Sequence, residues 1–317
     1  MEIELRPYTP ADSRTWDDFV ASSRNATFLF RRGYMDYHAD RFRDASLMAW
    51  KGGALVALLP ANVTPDGVLH SHQGLTYGGW ILPPAHVDGA GVLDLFKALI
   101  EWMKQTGLRE LDYKPLPWIY AASPSDEDEY ALYRVGAEVS EVNLSSAAPL
   151  GEAPRFNTLR RRSLRKAWKL PYISEEPRDI SAWMKMLEEC LSERHGVRPV
   201  HSLEEMKLLK GRFPENIRFF EVRPVDGGAP LAGVCVYDTG RVVHLQYIAT
   251  TEAGRQLNLL TPLIYRLMTE VFVDRKYLDF GISNEDHGRI LNEGLLRQKF
   301  SYGATGVAYR RYRLEIN

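Results

Sequence analysis

Hydrophobic and polar positions are most regularly patterned between Leu231 and Gly303. The Val-rich run Leu231 to Tyr237 and the run Arg241 to Ala249, with Val242, Val243, Leu245, Tyr247 and Ile248, read as two strands. Thr239-Gly240 joins them, and glycine accepts the positive φ that a tight hairpin turn needs. A polar loop, Thr250 to Asn258, then opens a helix whose apolar positions Leu260, Leu263, Ile264, Leu267, Met268, Val271 and Phe272 recur at helical spacing. Tyr277 to Gly281 follows as a short apolar strand.

The same order occurs earlier in the chain. Residues 2–6 alternate like an edge strand, and Asp12 or Ser13 can cap a helix carrying Trp16, Phe19 and Val20. Two apolar strands flank Lys51 to Ala54, and a third follows Asp66-Gly67. A Gly-rich loop then leads into a helix from about Val92 to Thr106 and a strand from Leu108 to Lys114. Leu111-Asp112-Tyr113 and Leu278-Asp279-Phe280 close the two series, which points to tandem duplication of one α/β unit. Chance likeness of two ordinary α/β segments is the alternative. Between them, an acidic stretch from Ser123 to Glu129 begins a helix. Ala147 to Pro154 reads as a linker, and Ser202 with Glu205 has the form of a capping box. The expected organisation is an N-terminal domain over 1–150, a basic linker helix over 151–170 and a C-terminal domain over 171–317.

Composition adds exclusions. A chain of 317 residues, 45% hydrophobic and 26% charged, has room for two cores. Its formal net charge of −1 creates no global field for nucleic acid or membrane, so such binding needs a local patch. Two cysteines exclude a disulfide framework and a cysteine-ligated structural zinc. His70-Ser71-His72 places two histidines on one strand face with no third ligand in view, so no metal is expected. Neither a secretory signal nor an apolar run long enough to span a bilayer is present, and the plain expectation is a cytoplasmic protein. No GxSxG, CxxC, Walker or Rossmann pattern supports hydrolase, redox or nucleotide chemistry.

One local patch does exist. Arg160, Arg161, Arg162, Arg165, Lys166 and Lys169 cluster in a segment whose Phe156, Leu159, Ser163 and Ala167 could face protein. A solvated linker, a phosphate contact (CoA, tRNA or a nucleotide-linked acceptor) and docking on an acidic segment such as Ser125 to Glu129 are three readings of it.

The basic segment Arg160 to Lys169, Leu231 to Gly233, the strand His244 to Ala249 and the ending Phe280-Gly281, Asn292-x-Gly294, Lys299-Phe300-x-x-Gly303 together resemble the FemAB-like, tandem GNAT-fold acyltransferases, relatives of the peptidoglycan-bridge aminoacyltransferases. The resemblance spans nearly the whole chain. It lacks that group's coiled-coil insertion, and the GNAT pyrophosphate loop is degraded.

The resemblance implies an α/β (α+β) fold of two GNAT-like domains with mixed, largely antiparallel sheets. It also implies N-acyl transfer from acyl-CoA, acetyl-CoA foremost, to a small-molecule or peptide amine near a cleft between the halves. Donor contacts would come from Thr250, Gly254, Arg255, Gln256 and Asn258, with Asn284 and Asn292 nearby; an ordinary surface loop with Asn258 as helix cap explains the stretch equally well. Catalytic candidates are His244, Gln246, Asp279 and Lys299, and alternation puts His244 and Gln246 on one strand face and Tyr247 on the other. Lys299 matches a family lysine that can contact the reacting substrate. Tyr34, Trp80, Tyr113 and Tyr247 are substrate-lining candidates, core packing being the alternative for such aromatics. Two rival functions remain open: an aminoacyl-tRNA-dependent transferase acting on a cell-wall precursor, with tRNA held by Arg160, Arg161, Arg162 and Arg165, and a non-catalytic binding module that kept the fold.

Overall fold

A computed structural model describes residues 2–316. The chain divides into two compact units: Met1–Asn143 with Asp286–Ile290 and Ala308–Asn317, and Leu144–Glu285 with Leu291–Val307. The units are therefore not consecutive stretches of sequence. The last strand of the chain, Thr305–Glu315, pairs antiparallel with Glu110–Tyr113 of the first unit. The end of strand Glu138–Pro149, read from sequence partly as linker, pairs antiparallel with Tyr277–Ile282 of the second. Each strand finds its ladder far from its own place in the chain, so order along the chain misplaces the ends of both units.

In the first unit, Ile3–Pro7, Leu47–Lys51 and Ala54–Leu59 form an antiparallel sheet. Val68–His70 pairs parallel with Glu110–Tyr113, and Asn62–Val63 extends that sheet. Helix Gly89–Gln105, capped by the Asp88 side chain on the Gly91 N–H, turns Leu95, Phe96, Leu99 and Met103 into the core. That apolar stripe is what gives the helix a fixed seat.

The second unit carries a mixed sheet in the order Glu138–Pro149, Tyr277–Ile282, Val242–Thr250, Ala232–Asp238, Ile217–Pro224, Tyr172–Glu175. Every pairing is antiparallel except Val242–Thr250 with Tyr277–Ile282. The hairpin at Thr239-Gly240 forms as the pattern predicts, with Gly240 at φ +85°. Helix Leu260–Arg266 packs Leu263 and Ile264 against Val234, Val243, Leu278 and Phe280, then ends in a π-helical turn at Leu267–Val271 rather than as one regular helix. Helix Leu203–Arg212 starts with the reciprocal Ser202–Glu205 capping box expected from sequence.

Two irregularities in this sheet matter for chemistry. The parallel pairing covers three rungs, Val242 with Tyr277, Val243 with Leu278 and His244 with Asp279. Both strands run on past that last rung, to Thr250 and Ile282, so they splay from His244 and Asp279 onward. Tyr247 pairs with Cys235 and Leu245 with Val236, which leaves Gln246 as the extra residue of a β-bulge. The bulge interrupts the alternation that had placed His244 and Gln246 on a common face.

Candidate active site

Asp279 sits at the floor of the splay with 0% of its surface exposed. An uncompensated carboxylate there would be costly, and three donors satisfy it. Ser145 Oγ donates to Oδ1 at 2.6 Å, the Gly281 N–H reaches the same oxygen at 3.2 Å, and Oδ2 meets His244 Nδ1 at 2.8 Å. Ser145 comes from the Glu138–Pro149 strand, two residues before Ala147, the register partner of Asp279. Gly281 takes φ +73°, the left-handed region a side chain resists. His244 is mostly buried, its side chain 15% exposed. With Nδ1 held by a carboxylate, the ring is fixed in orientation and Nε2 becomes the basic nitrogen.

Lys299 closes this group. It lies on helix Glu293–Phe300, is buried, and donates from Nζ to the carbonyls of Gly281 at 2.7 Å and Ile282 at 2.5 Å. Burial pushes its pKa down to about 8, against the opposing pull of the Asp279 charge. His244, Asp279 and Lys299 are thus brought together as the sequence suggested. Ser145 is the member that sequence reasoning missed, because nothing local marks a serine on a distant strand. Gln246 is carried by the bulge and belongs to no part of this network in the hydrogen bonds described.

The first unit contains the same constellation in altered form. His70 and Asp112 occupy the last rung of its parallel pair, and His70 Nδ1 lies 2.9 Å from Asp112 Oδ2. Arg311 stands two residues before Arg313, the register partner of Asp112, and so holds the place that Ser145 holds beside Asp279. It donates to both oxygens of Asp112, from Nε at 2.6 Å and from its terminal nitrogen, and reaches Glu141 as well. Burial works against the Asp112 charge, yet bonds from His70 and Arg311 outweigh it and hold the carboxyl below its ordinary range. His72 does not share the face of His70. It turns away with φ +71°, stacks on His38, and burial pushes its pKa down to about 3. Among the described residues no metal-binding cluster of three or more such side chains occurs.

The expected donor contacts are mostly spent on structure. Thr251 caps the five-residue helix Glu252–Gln256 by accepting from the Gly254 N–H. A Cβ on Gly254 would come within 2.2 Å of the Leu231 carbonyl oxygen, so this glycine serves a close backbone approach. Arg255 pairs with Glu252 and donates to the Thr250 carbonyl at 2.7 Å. Arg194, not singled out from sequence, donates to that same carbonyl at 3.2 Å. Gln256 reaches Glu252 at 3.2 Å. Asn258 takes φ +58° and lies ahead of Leu259, the residue at the N-cap of the next helix, so it does not cap that helix with its side chain. Asn284 accepts from the Leu144 N–H, and Asn292 caps its own helix on the Leu295 N–H. The loop's side chains thus bond largely within the loop itself.

The aromatic candidates separate likewise. Trp80 and Tyr113 lie in the first unit's core, where the Tyr113 hydroxyl accepts from the Trp80 N–H and donates to Asp128. Tyr34 is buried among Phe28 and Tyr37. Tyr247 bonds through its hydroxyl to His201 Nδ1 at 2.6 Å. Of the basic segment, Arg160 is turned inward: it bonds Ser301 and Thr261 and covers the Tyr302 ring at 4.1 Å. It does not share the exposed face of its neighbours.

The second unit's site is thus a parallel pair that parts beside a bulged strand. Residues 155–289 match the model of the acetyltransferase (GNAT) domain family. No curated protein sequence matches the chain significantly. Among solved structures, FemX superposes with a TM-score of 0.72 at 12% identity, covering 99% of this chain and 98% of that one. L-PGS from Bacillus licheniformis gives 0.62 at 10% identity, over 97% and 92%. A tandem GNAT protein from the clavulanic acid biosynthesis pathway gives 0.54 at 12%, over 100% and 99%. Residues 155–289 thus carry a GNAT-type acetyltransferase domain, and the whole chain shares its fold with FemX and with a tandem GNAT protein.

Proposed function

We propose that the protein transfers an acyl group from acyl-CoA, acetyl-CoA foremost, to a primary amine of a small molecule or peptide, with the chemistry at His244, Asp279 and Lys299 of the second unit. The observation that carries this reading is the Asp279-held imidazole on the last rung before the strands part. An amine attacks as a free base, so a fixed imidazole nitrogen that takes its proton is the required group. The C–N bond forms, the C–S bond breaks, and the imidazolium returns the proton to the departing thiolate. Lys299 supplies the positive charge that a developing carbonyl oxyanion requires. The test is thiol release from acetyl-CoA in the presence of a panel of amines. Amine-dependent release by the native chain, lost in His244→Ala, supports the assignment. Equal release by that variant overturns it.

A second reading is favoured by one specific observation. The Thr250–Asn258 loop caps itself and packs Gly254 on Leu231, so its backbone donors suit a CoA pyrophosphate poorly. An aminoacyl-tRNA donor, with a cell-wall precursor as acceptor, would need no such cradle. Thermal shifts separate the two, since a donor above its dissociation constant raises stability by mass action. A shift with acetyl-CoA supports the first reading; a shift with charged tRNA alone supports the second.

A further inference from the structure

The basic helix Thr158–Ala167 buries Leu164 and Ala167 and turns Arg160 inward. At 100° per residue, Arg161, Arg165, Arg162 and Lys166 then follow one another across the opposite, exposed face, and Lys169 is exposed in the turn that follows. None of these five makes an ion pair among the described residues, although most arginines elsewhere in the chain are paired. No acidic residue occurs between Glu152 and Glu175, in a protein whose formal net charge is −1. The stripe is therefore a local cationic field on an otherwise balanced molecule.

Its borders are apolar and exposed. Leu159 stands on one edge at 72% exposure and Trp168 on the other at 56%. Phe300, 64% exposed, precedes Ser301, whose carbonyl accepts from the Asn157 N–H at the start of the same helix. Beside Trp168 opens a cavity of about 170 Å³ walled by Leu170, Tyr172, Leu259, Pro262 and Tyr265 together with Ser174 and the Arg266–Glu270 ion pair. Cations in the middle and exposed apolar side chains at the rim match an amphiphile with an anionic head and a hydrocarbon tail.

We propose that this face docks on an anionic lipid bilayer, with phosphate headgroups along Arg161, Arg162, Arg165, Lys166 and Lys169, and with Leu159 and Trp168 entering the acyl boundary. Nucleic acid would satisfy the cations, but it offers nothing to an aliphatic leucine that is 72% exposed. The inference does not depend on the donor or on the chemistry at His244.

The test uses the full chain with vesicles of phosphatidylcholine alone and of phosphatidylcholine mixed with phosphatidylglycerol. Co-sedimentation is expected with the mixed vesicles only, and to fall with added salt. Arg161→Gln with Arg165→Gln should weaken it by roughly fivefold for each charge removed. Brominated acyl chains should quench tryptophan fluorescence in the native chain and much less in Trp168→Phe. These side chains are exposed, so circular dichroism and melting temperature should be unchanged in the variants. Equal binding to neutral vesicles, or quenching unaltered by Trp168→Phe, would overturn the proposal. So would an Arg161→Gln, Arg165→Gln variant that loses affinity for tRNA while its vesicle binding is unchanged.

Discussion

His244 and Asp279 face each other on the last rung of a parallel strand pair, imidazole Nδ1 to carboxylate at 2.8 Å, and past them the strands separate. The arrangement couples a folding feature to a chemical one. The ladder fixes the carboxylate, and the carboxylate fixes the ring at the point where the strands part.

Asp279→Asn tests that coupling. The amide still accepts from Ser145, so the fold should survive, but it no longer demands a proton on Nδ1. Acyl transfer is expected to fall by about a thousandfold or more, with little change in KM, as when a base is left in the wrong tautomer. Steady-state kinetics beside a thermal melt separates this from simple unfolding.

Ser145→Ala is a gentler version. It removes the hydroxyl at 2.6 Å and leaves the Gly281 N–H on the same oxygen. A buried carboxylate that loses one of three donors should cost about 1–3 kcal/mol of stability. A several-fold fall in kcat, with a shifted pH profile, would mark Ser145 as a positioning residue; a stability loss alone would mark it as structural.

Much of this was legible in the chain itself, and the failures have physical causes. The repeated Leu-Asp-aromatic triplets marked Asp112 and Asp279 as equivalents because each strand must bury both neighbours of its aspartate. The Ser202–Glu205 box was readable because capping is local. Ser145 and Arg311 were not readable, since their places are set by register with strands more than a hundred residues away. The bulge at Gln246 broke a period-two inference, and the left-handed turn at His72 parted two histidines that an unbroken strand would have aligned. Asn284 and Asn292 entered the donor set through the resemblance and their place after the last core strand; in the fold each accepts from a backbone N–H.

Lys299 gives a pH signature. Its pKa in the folded protein, about 8, lies below its ordinary value of 10.5, so the fold disfavours the charged form. The native chain therefore carries a penalty in full below about pH 8, and it is relieved as pH rises toward 10.5. The stability difference between Lys299→Met and the native chain should shift toward the native chain between pH 8 and 10, followed by urea denaturation. If its ammonium is used in catalysis, kcat should decline as pH rises through about 8.

Asp128 titrates in the opposite sense. Burial pushes its carboxyl up to about 7, although the Tyr113 hydroxyl bonds it and pulls the other way. The folded state then holds a proton that the unfolded chain releases near 3.8, so stability from this group is lost as pH rises from about 4 to 7. Asp128→Asn should match or exceed the native stability at pH 8 and lose that advantage at pH 4. Melting temperatures at the two pH values decide it.

Gly254→Ala distinguishes a packing glycine from a phosphate-binding one. The added methyl meets the Leu231 carbonyl oxygen, and about 1–3 kcal/mol of destabilisation is expected with donor affinity little altered per folded molecule. Unchanged stability with lost acetyl-CoA binding would return the loop to a donor role.

The two dyads permit the most direct test. Asparagine in place of histidine keeps a donor near Nδ1 but has no nitrogen at the Nε2 position. His244→Asn and His70→Asn should both fold, and single-turnover acyl transfer should then be compared with the native rate. Loss by a hundredfold or more in His244→Asn alone, with His70→Asn near native, is the expected result. Equal loss in both, or native activity in His244→Asn, would contradict the assignment of chemistry to the second unit.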